Sequence, residues 1–260
     1  MAQQLIDLMP PHLHYVEPYF GGGQVLLAKD PEGVSEVAND IDGRLMTFWK
    51  VLRDETLFES FRRRVSMLPF ADSVFEWAQN ERDTPARDDR DAVEVAIRLF
   101  VRYRMSRQAL GQDFATLSRN RTRRGMNEQV SQWLGAVEGL PAAHVRLQRV
   151  VVLNQDALEV IRQQDGENTL FYLDPPYVAD TRVAGTYEYE VDEDHHRKLL
   201  TLIKTLRGKV MISGYHSEMY DRELGEWNLK EFKRAKNSSS ARTKPVATEC
   251  VWMNYGSGAR

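Results

Sequence analysis

Thr169-Leu170-Phe171-Tyr172-Leu173-Asp174-Pro175-Pro176-Tyr177 is the stretch on which the reading of the whole chain turns. Residues 170–173 form a continuous apolar run, the pattern of a short parallel strand covered on both faces. Neither proline can donate to a β ladder, and the residue before each is held extended, so the sheet stops there. Asp174 is therefore left at the carboxyl edge of a sheet, followed by a stiff segment and an aromatic ring. In an open α/β sheet that edge is where ligands bind. A bare Asp-Pro pair reads as an ordinary strand-ending turn. A carboxylate, two prolines and a ring in this order after an apolar strand read as a site.

The 260 residues, 42% hydrophobic and 28% charged, suit a globular chain that buries a sizeable core. They make one large domain or a domain carrying an insertion. The single cysteine, Cys250, excludes an internal disulfide framework and a thiolate zinc cluster, and fits a reducing cytoplasm. No apolar run approaches the roughly 18 residues of a membrane span, and no basic flank precedes a long apolar core at the amino terminus. Neither a membrane segment nor a signal peptide is expected.

Upstream, His14-Tyr15-Val16 reads as a strand, Glu17-Pro18-Tyr19-Phe20-Gly21-Gly22-Gly23 as a glycine loop, and Val25-Leu26-Leu27-Ala28 as a helix. Glycines take positive φ and let the backbone approach a ligand, although a merely tight turn has the same composition. The spacing is not the G-x-G-x-x-G of a dinucleotide fold. Residues 34–38 read as a second strand ending in Asn39-Asp40-Ile41-Asp42, before a helix from about 43 to 52. An acid at that strand end suits the hydroxyls of a ribose, and Asp40 is the better candidate. Asp42 reads as a helix N-cap.

From 55 to 144 the apolar spacing is helical: Phe58, Phe61 and Val65, then Val93, Ala96, Ile97 and Phe100. Gly125-Met126-Asn127 is expected to begin another helix, which stops near Gly139-Leu140-Pro141. Between residues 98 and 124 there are eight arginines and one acid, Asp113. The stripe includes Arg104, Arg107, Arg119, Arg121, Arg123 and Arg124. With no compensating glutamates at helical spacing inside it, this is the footprint of phosphate contact; a solvated helix face is the competing reading.

Residues 145–153 return to strand character, followed by Asn154-Gln155-Asp156, and Asp156 also suits a helix N-cap. His195 and His196 diverge by about 100° on a helix and cannot share one ion, so they read as surface residues, and no metal is expected. Residues 209–215 form the next strand, with Tyr215 serving either a pocket or the core. Residues 227–232 and 248–255 look like a final antiparallel pair. The loop between them carries Lys236 and Arg242 and reads as a second phosphate-contacting arm or a flexible hairpin.

Glu17-Pro18-Tyr19-Phe20-Gly21-Gly22-Gly23, then Asn39-Asp40-Ile41-Asp42, then Asp174-Pro175-Pro176-Tyr177 resembles the Dam-type (D12 class) adenine-N6 DNA methyltransferases from residue 15 to 255. Tyr19 stands where that family usually has Phe, and no glycine-glycine-lysine segment precedes the first strand. The resemblance implies a Rossmann-like α/β methyltransferase fold: a mostly parallel sheet with a C-terminal antiparallel hairpin. Residues 1–54 and 145–260 would form the catalytic domain, and 55–144 an inserted helical target-recognition region. It implies S-adenosylmethionine as cofactor, with Gly21 and Gly23 against its methionine part and Glu17 near its amino group. Tyr19, Asp40, Ile41, Asp156 and Asp174 complete the expected cofactor site.

Asp174, Pro175, Pro176 and Tyr177 would then grip a flipped adenine of double-stranded DNA. The arginine stripe, Lys236 and Arg242 would contact the duplex. A cytoplasmic bacterial or phage-encoded enzyme, monomeric or weakly dimeric, is expected. Two other readings stay open: a methyltransferase acting on RNA adenine or a protein amide, and a DNA-binding member of the fold with weak or no catalysis.

Overall fold

The computed structural model describes residues 1–80, 86–115, 117, 119–176, 192–235 and 246–256. The expectations at Tyr177, Lys236 and Arg242 lie outside the described residues. The chain divides into two compact units, one formed by Met1–Ile41 with Gln155–Arg260 and the other by Asp42–Asn154.

Unit 1 opens with α1 (Ala2–Ile6), β1 (His14–Glu17), α2 (Gln24–Ala28) and β2 (Ser35–Asn39). Unit 2 follows with α3 (Gly43–Arg53), α4 (Glu55–Ser66), α5 (Asp72–Gln79), α6 (Asp89–Met105), the two-residue strands β3 (Thr122–Arg123) and β4 (Met126–Asn127), α7 (Glu128–Glu138), α8 (Leu140–Leu147) and β5 (Val150–Leu153). The chain then completes unit 1 with α9 (Ala157–Gln163), β6 (Thr169–Leu173), α10 (Glu193–Ile203), β7 (Lys209–Tyr215), α11 (Glu218–Glu223), β8 (Asn228–Ala235) and β9 (Val246–Met253). The helices start where the sequence supplies acceptors. Asp42, Asp54, Asp88, Asn127, Asp156 and Asp192 each accept a backbone N–H of the first turn.

Within unit 1 the strands lie in the order β2-β1-β6-β7-β9-β8. The pairs β1/β2, β1/β6 and β6/β7 are parallel, whereas β7/β9 and β8/β9 are antiparallel. The fold is thus mixed α/β with a mostly parallel sheet, and the expected last pair of strands is present. Every residue of β6 is buried, which is why its sequence does not alternate. The parallel strands β1, β2, β6 and β7 all deliver their carboxyl ends to one edge. There Asn39, fully buried, ties the ends together: Nδ2 donates to the carbonyls of Pro18 (3.0 Å) and Gln155 (3.1 Å), and Oδ1 accepts from Gln155 N (2.9 Å).

The core of unit 2 is aromatic. Phe48 of α3 meets Phe61 of α4 edge-on at 5.9 Å between centroids, Phe61 meets Phe100 of α6 at 5.8 Å, and Phe100 meets Trp133 of α7 at 5.4 Å. The Trp133 indole N–H is satisfied by the Leu68 carbonyl at 3.2 Å. Two sequence expectations change here. Residues 145–147 end α8 rather than begin a strand; Pro141 opens that helix with its φ preset, and Leu147 is buried. The helix expected from Gly125 begins at Glu128, because Arg124 (φ 56°) and Gly125 (φ 75°) form the two-residue turn of the β3/β4 hairpin. Among the described residues no helix is long and apolar enough to cross a membrane.

The Asn39 latch predicts a measurable cost. Asn39→Asp keeps the shape but removes both donors, so chemical denaturation should show a loss of about 1–3 kcal/mol, mainly from the buried Pro18 carbonyl that loses this partner. An unchanged midpoint would show that the latch contributes nothing.

Candidate active site

β1 ends at Glu17, and the chain turns through Pro18 and Tyr19 into the glycine loop. The loop is pinned to the end of β2 at two points: Phe20 N donates to Asn39 O at 2.8 Å, and Gly21 N donates to Asp40 Oδ2 at 2.9 Å. Gly21 (φ 48°) and Gly23 (φ 64°) both take the left-handed conformation that favours glycine. They serve different ends. A Cβ on Gly23 would stand 2.6 Å from the ring of buried Phe20, so that glycine is required by packing. Around Gly21 and Gly22 nothing lies within 4 Å of a built Cβ, so packing does not require a glycine at either position. Ile41, beside Asp40, is 52% exposed.

Glu17 is buried at the foot of this loop and accepts a hydrogen bond from the Tyr15 hydroxyl at 2.7 Å. Burial pushes its carboxyl up to about 8, and the nearby carboxylate of Asp174 adds to the rise. The Tyr15 hydroxyl and the Leu26 N–H pull the other way, and desolvation outweighs both. Glu17 is thus a carboxylic acid held neutral near pH 7 in the absence of a cationic partner.

Asp174 follows β6 as an exposed carboxylate, with Pro175 buried and Pro176 half-buried behind it. Ser213, buried in the middle of β7, donates to Asp174 Oδ1 at 2.7 Å and also lies 3.2 Å from Leu173 O. The Tyr172 hydroxyl is 3.4 Å from the same serine oxygen. The neighbouring strand therefore sets the orientation of the carboxylate. Asp156, exposed, caps α9 by accepting from Glu159 N at 3.1 Å.

The structure corrects the reading of the paired histidines. His196 is buried, with Nδ1 2.9 Å from the Tyr220 hydroxyl, and His195 Nε2 lies 2.6 Å from the hydroxyl of Tyr19. Burial lowers the pKa of His195 and raises that of Tyr19, so a neutral imidazole accepts from the phenol. The divergence of adjacent helical side chains holds, but each ring finds its own partner inside unit 1. Ser213, Asn39 and His195 are the residues that sequence reasoning missed. A serine inside a buried strand is the one signal that could have pointed to Ser213, since a buried hydroxyl needs a partner.

In unit 2, Arg104, Arg107, Arg119, Arg121, Arg123 and Arg124 are all exposed. Two of them have acidic neighbours from beyond the stripe. Arg124 makes a two-pronged pair with Glu138, both contacts at 2.9 Å, and Arg121 lies 3.9 Å from Glu128. The expectation of an uncompensated stripe is corrected to that extent. Arg98 packs on Trp77, 4.2 Å from the ring centroid, and pairs with Glu94 at 3.1 Å. A cavity of about 400 Å³ in unit 2, lined by Leu68, Val74, Trp77 and Ile97 among others, includes none of the expected site residues.

A mostly parallel sheet whose carboxyl edge carries a glycine loop, a buried neutral acid and a serine-held carboxylate defines a class: mixed α/β proteins whose candidate site lies at that edge. The chain matches the D12 class N6 adenine-specific DNA methyltransferase family over residues 1–240. It belongs to that family, and DNA adenine methylation is the activity the family carries. Comparison with curated proteins finds no match to the chain.

The Glu17 environment fixes a pH dependence. Its folded pKa of about 8 lies above the ordinary 4.5, so the folded state keeps a proton that the unfolded state loses between those values. The stabilisation is full below pH 4.5 and is lost as pH rises to about 8, with a slope of up to about 1.4 kcal/mol per pH unit from this group. Glu17→Gln should flatten that slope in denaturant midpoints measured between pH 5 and 8; parallel wild-type and variant profiles would contradict it.

Proposed function

We propose that the chain transfers a methyl group from S-adenosylmethionine to N6 of a flipped adenine in duplex DNA, with Asp174, Pro175, Pro176 and Tyr177 as the catalytic stretch. The observation that carries this reading is the Asp174 carboxylate, oriented by Ser213 at the edge where Glu17 and the glycine loop also end. The residues present fit the cofactor: Gly21 offers a left-handed turn with no side chain, Asp40 a carboxylate at the ribose position, and Glu17 a buried acid that a cationic amino group would ionise. Tyr19, Gly23, Ile41 and Asp156 would complete its walls. When bound, S-adenosylmethionine supplies an electrophilic methyl on a sulfonium.

The protein's own part is to make a poor nucleophile reactive. The N6 lone pair of adenine is delocalised into the ring. Asp174 would accept one N6 hydrogen and the Pro175 carbonyl the other, drawing the nitrogen toward tetrahedral geometry and aiming its lone pair. Pro176 keeps the carbonyl fixed, and Tyr177 would stack on the base, which must leave the duplex to reach the pocket. Ser213 is a positioning residue in this scheme. Positioning and fixed dipoles supply the rate, since nothing in the transfer calls for covalent catalysis. Unit 2 would meet DNA through its exposed arginines, with residues 55–144 as the target-recognition region and Lys236 and Arg242 as a second arm.

Two outcomes are expected. Asp174→Ala should lower transfer of labelled methyl to unmethylated duplex DNA by roughly 100-fold or more. Equal labelling by wild type and variant would remove Asp174 from its role. In salt titrations of DNA binding, Arg123→Ala should reduce the slope of log K against log salt by about 0.9. Arg124→Ala should reduce it less, because Glu138 already holds that guanidinium; equal losses would contradict the clamp.

A further inference from the structure

Away from the groups used above, unit 1 gathers His216, Glu231 and Cys250, whose ligand atoms all lie within 4.8 Å of one another. The strand register explains why. Cys250 on β9 faces Gly214 on β7 and Glu231 on β8, so Cys250 and Glu231 share one face of the sheet. Two residues beyond Gly214 the chain returns to the same side, which brings His216 over them. The imidazole is already oriented: Nδ1 donates to Asp221 Oδ1 at 2.8 Å, and Nε2 lies 2.8 Å from Glu231 Oε1. A carboxylate on one ring nitrogen and a ligand-bearing face at the other is the outer-shell arrangement that steers a metal-binding histidine. Cys250 is buried beneath, while His216 and Glu231 are exposed and leave a path in from solvent.

We propose that His216 Nε2, Glu231 and the Cys250 thiolate form a binding site for a zinc-class divalent cation, with Asp221 holding the imidazole. One soft, one borderline and one hard donor suit zinc better than magnesium or calcium. In a tetrahedral site with bonds of about 2.0–2.3 Å the ligand atoms stand about 3.3–3.7 Å apart. From a starting spread of 4.8 Å or less, rotation of two exposed side chains closes the difference. Three protein ligands leave the fourth position to water. Binding displaces the thiol proton and the proton between Nε2 and Glu231. The cation would fasten the turn after β7 to the β8/β9 hairpin, a stabilising role independent of methyl transfer.

The test uses the full chain, stripped of metal and titrated separately with Zn²⁺ and Co²⁺. Because Cys250 is the chain's single cysteine, a thiolate-to-cobalt charge-transfer absorption can arise from this site alone. The expected result is that absorption, displaced by one equivalent of Zn²⁺, with a zinc-dependent rise in melting temperature. Cys250→Ser should abolish the band. Asp221→Asn should weaken zinc binding roughly 10- to 100-fold. Glu231→Gln, at an exposed position where misfolding is not a concern, should weaken it at least about 10-fold. Zinc uptake without the thiolate band, or affinity unchanged in Glu231→Gln, would overturn the site.

Discussion

Two consecutive prolines after Asp174 remove two backbone donors, and with them any continuation of the β ladder. The sheet must therefore end at Asp174, one residue past a strand buried on both faces. The Asp174 side chain is exposed there. What remains is a carboxylate at the edge of the sheet, bonded by the hydroxyl of Ser213 on β7. The parallel register of β1, β2, β6 and β7 then decides which other strand ends share that level. Those ends carry Glu17, Asn39 with Asp40, and Tyr215.

The two acids of this edge sit in different surroundings. Glu17 is buried, and desolvation keeps it protonated near neutrality in spite of two hydrogen bonds that favour the charge. Asp174 is exposed and serine-bonded, as an accepting carboxylate should be. In the proposed reaction the neutral acid waits for a cationic cofactor group, and the carboxylate accepts from the amine to be methylated. Tyr19 and His195 add a neutral pair in the same unit, coupling the glycine loop to α10 without adding net charge.

Much of this is legible in the sequence because it is local. Residues 170–173 announce a buried strand, the glycines at 21 and 23 announce positive φ, and Asp42 and Asp156 announce helix caps, each through chemistry confined to a few neighbours. The pieces that escape are those made by distant parts of the chain. Ser213 meets Asp174 across a strand pair 39 positions apart. His196 is buried with its ring against the Tyr220 hydroxyl of another helix. Arg124 is clamped by Glu138 through a hairpin whose turn, Arg124-Gly125, reads equally well as a helix start. Residues 145–147 lie in a helix rather than the expected strand for a related reason: a short apolar run has no periodicity of its own, and the helix that Pro141 opens runs on to Leu147.

The central claim, that a serine-held carboxylate and a proline carbonyl grip an exocyclic amine beside a bound sulfonium, is tested most directly by a crystal structure of the chain with an unreactive S-adenosylmethionine analogue and adenine-containing duplex DNA. The account predicts the adenine outside the helix, its N6 within hydrogen-bond distance of Asp174 and the Pro175 carbonyl, and the amino group of the analogue against Glu17. An analogue seated elsewhere in the chain, or an extrahelical adenine with N6 turned from residue 174, would contradict it.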